Sequence, residues 1–131
     1  ALYFPAVFTL ESGYRAAKQL LGNPRLRPTA IVAASDEMAI GAMLAARDMG
    51  LDVPGELSVI GIDDHELAGF FGLSTVAQYP GLQGERAVEL LMEELQPHAD
   101  TALDDENTPL PFDLIVRSST ARPPRSTGQQ R

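Results

Sequence analysis

Cysteine is absent from the 131-residue chain, which excludes a disulfide framework, a thiolate zinc site and a cysteine nucleophile. Lysine occurs once, at Lys18, and histidine twice, at His65 and His98. A magnesium-dependent phosphotransfer site, which needs a cation to balance phosphate charge, and a histidine zinc site therefore have little to draw on. Basic residues are scarce as a class, with Lys and Arg totalling 10 against 18 acidic residues for a formal net charge of -8. Such a surface repels phosphate backbones, so the chain by itself is not expected to bind DNA. Its only basic cluster, Arg117 to Arg131, is dilute and falls mostly in a polar tail. No run approaches the roughly 18 apolar residues of a membrane span, and the opening ALYFPAVF lacks the basic flank of a secretory signal, so a cytoplasmic location is expected. Also missing are a G-x-S-x-G elbow and any glycine-rich phosphate loop, because SDEMAIGA has neither pattern. The chain is expected not to be an enzyme and to carry no cofactor or metal.

What is present suits a folded body with a single core: 44% of the residues are hydrophobic and 21% charged, and a chain of this size buries roughly two thirds of its unfolded surface. The opening apolar run, Leu2 to Phe8, reads as a strand broken by Pro5. It leads into ESGYRAAKQLLGNP, where Ala16, Ala17, Leu20 and Leu21 mark one helical face and Gly22, Asn23 and Pro24 stop it. TAIVAA is a short strand, and Ser35 and Asp36 are natural N-caps for a helix running to about Met49. LDVPGE turns the chain into LSVIGI, a second strand parallel to the first. Leu67 to Phe71 reads as a short helix, LSTVAQ as another strand or an extended crossing, and the 3.6-residue stripe of Gly84, Ala87, Val88, Leu91, Met92 and Leu95 as a helix from about Gly81 to Gln96. Residues 97–111 form an acidic, proline-bearing loop, and FDLIVRSS is the last strand. ARPPRSTGQQR should be disordered.

Parallel strands point their carboxyl ends the same way, and ligands of such sheets bind beyond those ends. VIGIDDHE therefore places Asp63 and Asp64 on the binding edge, beside Ser35 and Asp36. Four readings compete for these carboxylates: a metal, a neutral polyol, a helix cap, or plain exposure to water. Asp63, standing directly after Ile62 at the strand's mouth, can accept hydrogen bonds from two neighbouring hydroxyls of one ligand, as sugars present them. Phe8, ending the first strand at the same edge, could supply a ring for the apolar face of a sugar or base, or could be ordinary core.

The segment PTAIVAASDEMAIGAMLAARDMGLDVPGELSVIGIDD resembles, almost position for position, the effector domain of bacterial transcription regulators of the lactose/galactose repressor (LacI/GalR) family. The likeness extends back to FTLESGY and forward through LSTVAQ, Gly84 and LIVRSST, roughly Phe8 to Thr120. It implies an α/β architecture, a parallel-sheet, three-layer lobe of the periplasmic-binding-protein-like (type I) fold. The lobe is incomplete here, since the first lobe and the DNA-binding head would lie before Ala1. Residues 1–120 would be the C-terminal part of the effector-binding domain and 121–131 a tail. By position, Phe8 resembles the ring that stacks on the effector, Ser35 a polar contact, and Asp63 the aspartate that binds sugar hydroxyls or a base. Asp36 resembles part of the same wall or a helix cap, with the cap preferred. The implied homodimer interface includes Leu10, Ile40, Leu44, Phe70 and Phe71. The implied partners are a small-molecule effector, expected to be a sugar, and operator DNA through a helix-turn-helix that this chain does not contain. A sugar-binding protein of a transport system is the rival reading. Two positions depart from the family pattern: Gly72 stands where a proline usually precedes the crossing, and Tyr79 replaces a common proline.

Overall fold

The computed structural model describes residues 2–95 and 110–123. Helix α1, Leu10–Leu21, is capped by Thr9, whose hydroxyl accepts from the Ser12 amide, and buries Gly13, Ala17 and Leu21. Strand β1 is Ala30–Val32, helix α2 Asp36–Asp48 and strand β2 Ser58–Ile62. Strand β3, Ser74–Ala77, helix α3, Pro80–Glu94, and strand β4, Asp113–Ile115, complete the order. The sheet runs β1-β2-β3-β4. Its first three strands are parallel, with Ile31 opposite Val59 and Gly61 opposite Thr75, and β4 closes the far edge antiparallel to β3. The α/β class and parallel pairing expected from strand-helix-strand spacing are therefore present.

Small residues set how closely the helices approach. Alpha-carbon hydrogens alone separate α1 from α2 at Gly13, which faces the Met38 backbone, and at Gly41, which faces the backbone of Leu10 and Tyr14. A methyl group at either position would overlap main-chain atoms that cannot move without parting the helices. Beneath this contact α2 packs on β1 and β2, and Ala39, Ile40, Ala42, Ala45, Leu57 and Val59 form the centre of the core. The alanine-rich surface of α2 is thus explained by neighbours on several sides.

Several local expectations change. Residues 2–8 form no strand. Instead, Leu2, Tyr3 and Phe4 line an apolar cavity of about 670 Å³ between α1 and β1. With Pro5 interrupting the run, that segment has no ladder to join. Phe8 accordingly ends no strand and is 66% exposed. Residues 66–72 are successive turns rather than a helix, held by Ala68 N–H to the His65 carbonyl and Leu73 N–H to the Ala68 carbonyl. Gly69 and Gly72 account for this, and Gly72 has a positive φ of 61° that a proline could not adopt. The last strand keeps only Asp113–Ile115 of FDLIVRSS, because residues after Ile115 turn away to bond with β2 and with the start of β3. Ile40 is 1% exposed, so it belongs to the core and not to an interface patch. The acidic loop lies largely outside the described residues, as do His98 and residues 124–131 of the tail.

Helix α3 follows its expected range, but its apolar stripe lies against nothing among the described residues: Val88, Leu91, Met92 and Leu95 are all more than half exposed. It starts abruptly, with Tyr79 at φ 52°, another conformation closed to proline, and the Tyr79 hydroxyl donates to Asp113 at 2.6 Å. That bond ties the exit of β3 to the entrance of β4 and raises the Tyr79 phenol above its ordinary value.

Candidate functional site

The two carboxylates that begin α2 and follow β2 have different fates. Ser35 is the cap of α2, its hydroxyl accepting from the Met38 amide at 3.3 Å, and Asp36 is not. Extended backbone at Ser35 turns its side chain back over the helix start, while Asp36, already in the first turn, projects towards the sheet. Asp36 is completely buried. Its Oδ1 accepts from the Thr75 hydroxyl at 2.6 Å and its Oδ2 from the His65 amide at 2.8 Å. The space it fills exists because β2 has glycine at 61, where a side chain would collide with the Asp36 carboxylate and Ala39. The position is also favourable for a negative group at the positive end of α2.

Asp63 and Asp64 form a turn with two consecutive positive φ angles, 116° and 54°. Non-glycine residues rarely adopt either value, although aspartate tolerates the second better than most. Three successive amides pin the turn, two to β3 and one to the start of α2. The Asp63 N–H donates to the Val76 carbonyl at 2.9 Å, the Asp64 N–H to the Thr75 hydroxyl at 3.2 Å, and the His65 N–H to Asp36. Thr75 thus bridges the buried carboxylate and the turn, accepting from one side and donating to the other.

Arg117 closes the network. Its Nη2 donates to Asp64 Oδ1 and its Nη1 to the Leu73 carbonyl, each at 2.8 Å, while its backbone N–H donates to Ser74 Oγ at 2.8 Å. The following residues are sewn into the sheet. Ser119 Oγ accepts from the Ser74 amide and donates to the Val59 carbonyl, and the Ser119 carbonyl accepts from the Val59 amide at 2.8 Å. Even Ala121, at the start of the polar tail, donates its N–H to Ser58 Oγ. Among the described residues no buried side-chain polar atom lacks a partner.

One carboxylate is left free to work. Asp63 is exposed, and among the described residues no group donates to its side chain. Partial burial, reinforced by Asp36 and Glu37 and opposed by His65, pushes its carboxyl above the ordinary value of 3.8. A carboxylate held at a strand end without an internal donor is available for donors of a ligand. The described residues contain no cluster of three groups that could hold a metal ion. Of the other residues singled out from sequence, Ser35 is buried with its hydroxyl on the helix start, and Phe8 presents an exposed ring from the irregular chain before α1. Leu44 and Phe71 line a common shallow hollow with Met43. Phe70 is 89% exposed and Leu10 38%.

Thr75, Gly61 and Arg117 are not singled out as site residues by the sequence; Arg117 falls in FDLIVRSS, read as the last strand, and heads the dilute basic cluster that runs into the tail. The available signals were a Ser-Thr pair inside an otherwise apolar strand and an arginine flanked by RSST rather than by the tail's prolines. Neither says which carboxylate it will meet.

Comparison with known proteins yields a consistent set. A family model described as a periplasmic binding protein-like domain matches residues 2–120. The HTH-type transcriptional regulator MalR of Streptomyces coelicolor is 41% identical over 130 residues, covering 95% of this chain and 35% of that protein. The chain thus spans about a third of this curated relative. Among solved structures, the lac repressor dimer bound to operator and the anti-inducer ONPF superposes with a TM-score of 0.77 at 33% identity, covering 88% of this chain and 39% of that one. A LacI family transcriptional regulator from Enterococcus faecium with bound ribose gives a TM-score of 0.70 at 26% identity, covering 89% and 42% respectively.

Proposed function

Because the chain belongs to the LacI/GalR family through its periplasmic binding protein-like domain, we propose that it is the effector-sensing and dimerising part of a cytoplasmic transcription regulator. It catalyses nothing; a small polyhydroxylated molecule, a sugar in the first instance, binds at the carboxyl ends of the parallel strands. Asp63 accepts from the ligand's hydroxyls. The Phe8 ring, exposed as stacking would require, covers an apolar face of the ligand, while Ser35 and Asp36 support the site by capping α2 and fixing the turn. Operator binding belongs to a helix-turn-helix outside this chain, and effector binding changes its affinity for DNA by repositioning two lobes. The bound ribose of the Enterococcus faecium regulator supports the choice of ligand class.

The observation that carries this reading is Asp63 itself, a carboxylate without a side-chain partner among the described residues, on a turn whose amides at 63, 64 and 65 are all pinned. Its surroundings also narrow the ligand. Asp36, Glu37, Asp64 and Glu66 cluster near it in sequence or space, and the Arg117 guanidinium is already engaged, so a neutral ligand is favoured over a phosphorylated one. Chemical-shift titration of the chain with ribose and with lactose should move the amides of residues 63–65. Ribose 5-phosphate should bind more weakly than ribose. Asp63→Ala should weaken binding roughly 10- to 100-fold without unfolding the chain. Equal responses from wild type and Asp63→Ala would remove Asp63 from the site.

Self-association is assigned to the patch of Phe70, Phe71, Leu44 and Leu10, where an apolar surface would be covered by its two-fold copy.

A further inference from the structure

The turn that presents Asp63 has an unusual support. Its two left-handed residues are neighbours, and the second, Asp64, has one side-chain partner among the described residues, Arg117. That arginine lies 53 positions later in the chain, on the segment that leaves β4. Its guanidinium is a two-pronged clamp, one nitrogen on the Asp64 carboxylate and another on the Leu73 carbonyl at the foot of β3. Its backbone is fixed as well, through Ser74 Oγ, and the pair is only partly accessible, at 25% for Arg117 and 33% for Asp64. An arginine so placed cannot follow Asp64 if the turn relaxes; it holds the turn where the sheet dictates.

We infer that Arg117 is the positioning residue of the candidate site, keeping Asp64 in its left-handed conformation and thereby aiming the Asp63 carboxylate out of the strand end. Charge supports the same role. Asp63 already feels the like charge of Asp36, and the guanidinium is paired with the carboxylate beside it, Asp64. Because Arg117 sits two residues after the end of β4, the clamp also makes the direction of Asp63 depend on where the returning segment lies. The inference rests on the proposed ligand-binding role of Asp63 only for its functional meaning; the geometry of the turn can be tested without any ligand.

The test uses the isotope-labelled chain, reading the Asp63 side-chain carbonyl carbon through a pH titration and the hydrogen exchange of the 63–65 amides. Arg117→Gln should displace the Asp63 carboxyl signal and its titration midpoint and speed exchange at Asp64 and His65 by roughly tenfold, while the amides of the α1–α2 contact stay where they are. Arg117→Lys, which keeps charge but not the fork, should give a smaller displacement. In an Asp64→Gly background glycine adopts the left-handed backbone unaided, so adding Arg117→Gln should change the Asp63 signals little further. Unchanged Asp63 signals in Arg117→Gln would overturn the inference, as would an equal effect of Arg117→Gln with glycine at 64. Should Arg117→Gln fail to fold, Asp64→Ala, which removes the carboxylate that Arg117 holds and does not favour the left-handed backbone as glycine does, carries the same test with the same overturning result. If Arg117→Gln moves Asp63 but wild type shows no response to ribose or lactose, the clamp stands and the ligand assignment fails.

Discussion

Replacing Asp36 with alanine should destabilise the chain well beyond what one missing carboxylate at a helix start would suggest. The side chain is fully buried and accepts from two donors, the Thr75 hydroxyl at 2.6 Å and the His65 amide at 2.8 Å. A hydrogen bond to a charged group contributes about 1.5 to 3 kcal/mol, and its buried donor is left unsatisfied when the acceptor goes. Two such losses amount to roughly 3 to 6 kcal/mol. Against this, the variant no longer has to keep a carboxylate out of water, and Asp63 loses a like-charged neighbour. A net cost of about 2 to 4 kcal/mol is expected. With a urea dependence near 1.5 kcal/mol per molar for a domain of this size, the unfolding midpoint should fall by about 1.3 to 2.7 M. Circular dichroism during urea unfolding measures it. Asp36→Asn, retaining one acceptor and the shape, should lie between alanine and wild type. An Asp36→Ala midpoint within about 0.3 M of wild type would mean that Thr75 and His65 find other partners, and that the buried carboxylate does not hold the turn.

Gly41→Ala should cost about 2 to 3 kcal/mol in thermal unfolding, because its methyl would meet the Leu10 carbonyl and the Tyr14 amide rather than a flexible side chain; Gly84→Ala on α3, where a methyl meets open space, should be neutral or mildly stabilising. Asp63→Asn should have a pH-dependent effect. Because the native carboxyl of Asp63 titrates above its ordinary value of 3.8, the wild-type fold binds the proton more tightly than the unfolded chain does. That contribution is complete below the unfolded value and is lost as pH rises through the native one. The stability advantage of Asn over Asp should therefore grow across that interval and level off above it, and a difference flat in pH would contradict the raised value. Phe71→Asp should weaken any dimer seen by sedimentation of the wild type; identical monomers in both would remove Phe70 and Phe71 from the proposed interface.

Much of the scaffold was legible in short stretches of sequence because its causes are local. Ser35 before an alanine- and methionine-rich run, Gly22 after a helix with one apolar face, and two short apolar strands separated by a helix are signals that neighbouring residues complete among themselves. The errors came where a partner lies far along the chain. Leu2 to Phe8 has strand composition but no ladder to join. Ile40 sits on a helix with apolar residues on several sides, and only the approach of α1 decides which side is interior. The stripe on α3 correctly marks a helix, yet periodicity cannot say what covers it, and among the described residues nothing does.

The carboxylates at the strand ends show the same limit most sharply. Asp36 and Asp63 are the same residue type, one at the start of a helix and one directly after a strand, and their neighbours in sequence do not say which of the two is buried. What separates them is a glycine at 61 that makes room for one carboxylate, a threonine at 75 that donates to it, and the absence of any such pair for the other. These come from β2 and β3, up to 39 positions away. A hydrogen-bonded, buried carboxylate is already satisfied and would have to be exposed before it could serve a ligand. An unpaired one at the surface carries no such obligation. The candidate site is therefore built by subtraction: Asp36, Asp64 and Asp63 lie together, the first is consumed by Thr75 and His65, the second by Arg117, and the third is without a side-chain partner among the described residues. Altering Thr75 or Arg117 should accordingly affect Asp63 without touching it.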